Sequence, residues 1–115
     1  MRHLILILLA FSLSACEKNI LPEGYCQNSE QASEQDWLNK KIRSYKRNGT
    51  SAEIFTAKLG TQPVIIINTC PGCADTMDAL YNCEGEQICT VGGISGANTC
   101  SDYGEFSDIE LIWSN

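Results

Sequence analysis

Histidine occurs once in the 115 residues, at position 3, so imidazole is missing from everything after it. That removes Ser-His-Asp and Cys-His nucleophilic catalysis and histidine-ligated zinc. It also removes covalent c-type haem, which would need a histidine where Ala74 stands. Proline is almost as scarce: Pro22, Pro63 and Pro71 are the full set, and none lies beyond position 71. Positive charge is outnumbered, with eight Lys and Arg against fourteen Asp and Glu and a formal net charge of −6. Nucleic-acid binding needs clustered cations to neutralise phosphate, so a balance this acidic argues against that partner. The one basic cluster, Lys40, Lys41, Arg43, Lys46 and Arg47, reads as the solvated face and basic C-terminal end of a helix. Internal repeats and low-complexity segments are absent.

A long apolar run is missing too, and the shortness of the one that exists is informative. Met1-Arg2-His3 is a brief basic start that leads straight into Leu4-Ile5-Leu6-Ile7-Leu8-Leu9-Ala10-Phe11, the order of a secretory signal peptide. The stretch from Leu4 to Cys16 falls short of the roughly 20 apolar residues of a spanning helix. It closes on Leu13-Ser14-Ala15-Cys16, which resembles the lipobox of bacterial lipoproteins: an apolar residue, two small ones, then a cysteine whose thiol takes a diacylglycerol. The resemblance implies cleavage before Cys16 and a mature chain of residues 16–115. Acyl chains on Cys16 would then hold the protein to a membrane, each buried methylene contributing roughly 0.8 kcal/mol. Among such lipoproteins an aspartate after the cysteine goes with inner-membrane retention, so Glu17 points to the outer membrane of a bacterial envelope. Cleavage takes Arg2 away and moves the formal charge from −6 to −7.

Besides Cys16 there are six cysteines: Cys26, Cys70, Cys73, Cys83, Cys89 and Cys100. An even number in a short exported domain reads as a disulfide framework. Six cysteines admit about 15 pairings, and spacing alone does not choose among them.

The organisation follows from patterning. Residues 1–15 read as signal peptide, 16–30 as the lipidated N-terminus and tether, and 31–115 as one small domain. A helix is expected over about 33–47, with Ser33 as N-cap and Asp36 completing something close to a capping box. Leu38, Ile42 and Tyr45, with Trp37 beside them, form its apolar stripe and are expected to pack on a sheet. Asn48-Gly49 ends it, Gly49 suiting a left-handed cap. Ser51 to Leu59 alternates, with Ile54, Thr56 and Lys58 on one face and Phe55, Ala57 and Leu59 on the other. Gly60-Thr61-Gln62-Pro63 is expected to turn into the β-branched strand Val64–Ile67, making a hairpin under the helix. A second hairpin bends at Asn82-Cys83-Glu84-Gly85, between Met77–Tyr81 and Gln87–Val91, although 74–81 also suits a helical turn. Gly92 to Asn98 reads as a loop and Ile109–Trp113 as a closing strand. The sum is an α+β fold: one amphipathic helix on a small antiparallel sheet of four or five strands, stabilised by disulfides.

Four constellations bear on chemistry. Cys70-Pro71-Gly72-Cys73 after a β-branched strand is similar to the motif of thioredoxin-like oxidoreductases, in which a helix N-terminus lowers the first thiol's pKa. That fold also needs a cis-proline loop after the motif, and no proline follows Pro71. Cys70, Cys73, Cys83 and Cys89 together have a spacing open to zinc or an iron–sulfur cluster, but an oxidising compartment favours pairing among thiols. The glycine-rich loop Gly92–Gly96 lacks the Lys-Ser/Thr ending of a phosphate-binding loop. Asp75, Asp78, Glu84 and Glu86 lack calcium-loop spacing and read as a solvated rim.

Leu80-Tyr81-Asn82-Cys83-Glu84-Gly85-Glu86-Gln87-Ile88-Cys89, then Gly92-Gly93-Ile94-Ser95-Gly96, Cys100 and Leu111-Ile112-Trp113 form an ordered series. It is similar to a domain-of-unknown-function family of short, cysteine-containing bacterial lipoproteins, over about residues 26–113. The family usually has two adjacent cysteines where this chain has Cys70 and Cys73, and it usually lacks Cys83, which leaves the pairing open. The resemblance implies a compact α+β domain and brings no reaction with it. The expectation is a lipid-anchored, non-catalytic binding or structural module of the envelope, without cofactor or metal. Its partners would be the membrane, through the anchor, and an unidentified protein or small molecule. The alternative is a periplasmic thiol–disulfide oxidoreductase with Cys70 as nucleophile and Cys73 as resolving thiol.

Overall fold

The computed structural model describes residues 20–22, 24–26, 36–73, 76–92 and 97–115. Outside the described residues lie the signal segment with Cys16, the Ser33 cap, Asp75 and the centre of the Gly92–Asn98 loop. Within them the chain is a mixed α+β domain, mostly sheet. Helix α1 spans Asp36–Asn48, followed by strands β1 Glu53–Leu59, β2 Gln62–Asn68, β3 Met77–Tyr81, β4 Gln87–Gly92, β5 Ala97–Asn98 and β6 Phe106–Ser114. Five of these strands have five residues or more, and β5 is a two-residue rung at the edge. All pairings are antiparallel, in the order β5-β4-β3-β2-β1-β6.

The helix ends where its sequence stops favouring it. Gly49 takes a φ of +66°, and the Thr50 N–H donates to the Tyr45 carbonyl at 2.9 Å, closing a Schellman-type cap. Leu38 and Ile42 point inward and are buried, with Trp37 and Tyr45 half-buried beside them. They meet Ile54 of β1 and Ile65 and Ile67 of β2 in one apolar cluster.

β1 and β2 are joined by the two-residue turn Gly60-Thr61, since Leu59 already pairs with Gln62. The turn is therefore shorter than expected, and Gln62 and Pro63 belong to the strand. Pro63 is tolerated because β2 pairs with β3 only from Ile65 to Ile67, so the missing N–H costs no bond on that side. Met77–Tyr81 is a strand, not a helical turn, and it pairs with both β2 and β4.

The sheet is covered on both faces, where the sequence suggested a helix over one. Alternation sends Ile54 and Thr56 towards α1 and Ala57 and Leu59 to the opposite face. There, Val64, Ile66, Leu80 and Cys89 complete a second buried cluster together with Cys100. Its cover comes from the connection between β5 and β6, which carries the chain from one sheet edge to the other. Cys100 in that connection is fully buried. The connection is tied to the β1–β2 turn by the Gly60 N–H, which donates to the Glu105 carbonyl at 2.9 Å. A Cβ on Gly104 would stand 3.0 Å from the Gly60 Cα, so the crossing is close. The closing strand begins at Phe106, three residues before the apolar run that announced it, and it bends at bulges while pairing with β1.

Candidate functional site

The six described cysteines form three pairs: Cys26–Cys83, Cys70–Cys73 and Cys89–Cys100, with Cα separations of 5.6, 5.5 and 5.1 Å. Each does different work. Cys89–Cys100 links β4 to the crossing connection inside the second apolar cluster, where both residues are buried. It is a clamp without access to solvent.

Cys26–Cys83 joins the N-terminal segment to the β3–β4 turn. That segment is fastened a second time by Tyr25, whose hydroxyl lies between β1 and β2. The hydroxyl is 2.6 Å from the Ala57 carbonyl oxygen and 2.7 Å from that of Val64, and it accepts the Ala57 N–H at 3.2 Å. Burial pushes the phenol above its ordinary pKa of 10.0. Leu21 is buried and Ile20 half-buried in the cluster under α1. Thus the expected tether is, from Ile20 to Cys26, docked structure where it is described.

The β3–β4 turn is the meeting point of the helix, the sheet and the N-terminal segment. Asn82 organises it, its side-chain oxygen accepting the N–H groups of Glu84 and Glu86 at 3.0 and 2.9 Å. Trp37 of α1 donates its indole N–H to the Cys83 carbonyl at 3.0 Å. The same ring lies against Gly85, packs on Tyr81 at 5.4 Å between centroids, and Tyr81 in turn holds the Lys41 ammonium over its face.

Cys70–Cys73 is the accessible pair. Cys70 is half-buried, and Pro71, Gly72 and Cys73 are exposed. The four residues make a tight turn in which the Cys73 N–H donates to the Cys70 carbonyl at 3.1 Å, with Gly72 at φ +82°. Proline followed by a left-handed glycine is the combination a type II turn requires. Asn68 steadies its start by accepting the Cys70 N–H at 2.9 Å. The motif therefore sits in a turn between antiparallel strands. Among the described residues no helix N-terminus follows it, and the chain is extended again from Met77.

The four-cysteine metal reading does not assemble either. Cys70 and Cys73 lie before β3 and Cys83 after it, at opposite ends of that strand, while Cys83 and Cys89 are bonded to other partners. Among the described residues, no three His, Cys, Asp or Glu are grouped as a cation would require. Of the acidic rim, Asp78 is half-buried, and its carboxyl is held above the ordinary 3.8 by burial and then by the charge of Glu53. Asp75 lies outside the described residues, and Glu84 and Glu86 are exposed in the turn.

Sequence reasoning named all six cysteines but not the pairing. It also missed Tyr25 and Trp37 as fasteners, because their partners lie 32 to 46 positions away. A match to a family model now places the domain. Residues 29–115, about three quarters of the chain, match the model described as Domain of unknown function (DUF6970). The chain belongs to the DUF6970 family. No curated protein and no solved structure matches it. Cys26 lies just before the matched segment, so the Cys26–Cys83 bridge ties a residue outside the DUF6970 match to one inside it.

Proposed function

We propose that this DUF6970 protein is a non-catalytic module of the bacterial cell envelope, anchored through acyl chains on Cys16 and presenting its domain to a protein or small-molecule partner. One observation carries the reading: six of the seven cysteines pair among themselves, which leaves for acyl transfer the one that closes Leu13-Ser14-Ala15-Cys16. Glu17 favours the outer membrane over the inner. Three disulfides, one of them buried, accord with an oxidising compartment.

The experiment is intact-mass analysis of protein from the membrane fraction. Wild-type protein is expected to begin at Cys16 and carry the added mass of a diacylglycerol. Cys16→Ser is expected to lose that mass and leave the membrane fraction almost completely. A wild-type chain that retains residues 1–15 and an unmodified Cys16 thiol would end the proposal.

The exposure of Cys70–Cys73 favours a second reading, thiol–disulfide exchange. In it, the reduced Cys70 thiolate attacks a substrate disulfide and expels one substrate thiol. Cys73 then attacks the mixed disulfide, releasing the second substrate thiol and leaving Cys70–Cys73 oxidised, and a partner dithiol reduces the pair again. Insulin reduction by the native protein, abolished in Cys70→Ser, would establish it. An inert native protein would remove it.

A further inference from the structure

Helix α1 concentrates the positive charge of an otherwise acidic molecule. It carries five of the eight Lys and Arg and only one of the fourteen Asp and Glu. The arrangement on the helix is directional. Leu38 and Ile42 point at the sheet, and Lys40, Arg43 and Arg47 recur at helical spacing on the side away from them, with Lys46 on the flank. All four are exposed, whereas Lys41 is turned in over Tyr81.

The N-terminal segment decides which way this face looks. Ile20 and Leu21 pack into the apolar cluster that also holds the buried side of α1. Three residues, Glu17, Lys18 and Asn19, separate Ile20 from Cys16, and the four backbone steps reach about 14 Å at full extension. A helix with its side chains is about 10–12 Å across, so an anchor on Cys16 leaves from beside α1 with little more slack than the thickness of the helix. It cannot swing to the far face of the sheet. On a membrane of anionic lipid, electrostatics selects among the remaining orientations. The helix face is attracted, and the sheet edge at β6, where Glu105 and Glu110 are exposed and Asp108 is paired with Lys58, is repelled.

We infer that the outer face of α1, through Lys40, Arg43, Lys46 and Arg47, docks on the anionic phospholipid headgroups of the membrane that holds the anchor. This inference rests on acylation at Cys16 and goes beyond it by assigning the surface that meets the lipid.

The test is lysine footprinting of the acylated full chain, reconstituted in phosphatidylcholine vesicles with and without phosphatidylglycerol, using a water-soluble amine-reactive ester and mass spectrometry. Each basic residue near an anionic surface is worth about fivefold. Reactivity of Lys40 and Lys46 is therefore expected to fall at least about tenfold when phosphatidylglycerol is present, and to recover in high salt as screening shortens the interaction. In the variant K40Q/R43Q/R47Q, whose substitutions are all on the surface, Lys46 is expected to stay reactive in both vesicles. Equal reactivity in both vesicles with acylation intact would overturn the docking and leave the anchor standing. Protection in phosphatidylcholine alone that rises with protein density would assign the face to a second copy of the chain and also overturn it. A chain lacking the acyl mass but still protected by phosphatidylglycerol would support the docking and remove the anchor.

Discussion

Replacing Cys26 and Cys83 together by alanine is expected to cost this domain about 4 kcal/mol, the largest loss any one cross-link can produce here. The chain-entropy relation scales with the loop a bridge closes, and these residues are 57 apart in sequence, against 11 for Cys89–Cys100 and 3 for Cys70–Cys73. The same relation gives about 3 kcal/mol for the second pair and less than about 2 for the third. A loss near 4 kcal/mol is a large share of the roughly 5–15 kcal/mol that holds a typical domain folded. It also frees one of the attachments of the segment from Ile20 to Cys26, leaving Tyr25 and Leu21 to hold it. Urea unfolding of the three double variants, with the slope compared as well as the midpoint, checks the ranking. If C70A/C73A proved the most destabilised, the bridge joining the N-terminal segment to the β3–β4 turn would not be the main brace.

Gly85→Ala is expected to destabilise by about 2–5 kcal/mol, although it adds a single methyl group at a half-buried position. Two causes add. Gly85 has a φ of +87°, and the left-handed region costs a residue with a β-carbon roughly 1–2 kcal/mol. The added Cβ would also stand 2.6 Å from two atoms of the Trp37 indole, so the ring must move, and overpacking of this kind typically costs about 1–3 kcal/mol. Moving the ring pulls its N–H from the Cys83 carbonyl and disturbs the contact with Tyr81. Gly72→Ala supplies the control. Its φ of +82° is similar, but a Cβ there meets nothing within 4 Å, so only the backbone term of roughly 1–2 kcal/mol applies. Equal losses in the two variants would show that the Trp37 contact contributes nothing. Near-ultraviolet circular dichroism is expected to change for Gly85→Ala and not for Gly72→Ala.

Local elements were legible where one or two neighbouring residues decide the backbone. Asn48-Gly49 placed the helix end within a residue, and the β-branched run Val64–Ile67 marked a central strand. Asn82 to Gly85 located the second hairpin, and the alternation from Ile54 to Leu59 correctly separated the two faces of β1. The errors came where local signals were ambiguous. Pro63 suggested a turn because its lack of an N–H normally excludes it from a ladder; its place before the β3 pairing removes that objection. Residues 74–81 suited a helical turn or a strand, and for Met77–Tyr81 the pairing with β2 on one side and β4 on the other chose the strand. Ala97-Asn98 has too few residues to carry any period, so β5 had no signature.

The candidate sites divide the same way. The presence of six cysteines, the lack of histidine beyond position 3, and the concentration of Lys and Arg over positions 40–47 are properties of composition and spacing, and the sequence by itself determined them. It likewise determined the stripe of Leu38 and Ile42 and the turn chemistry of Pro71-Gly72, since helical periodicity and φ preference act within a few residues. Only the tertiary structure decided which cysteines meet, that the β5–β6 connection covers the second face of the sheet, and that Tyr25 and Trp37 fasten distant segments. Those outcomes depend on where the chain returns in space after tens of residues, and many returns satisfy the same local preferences equally well.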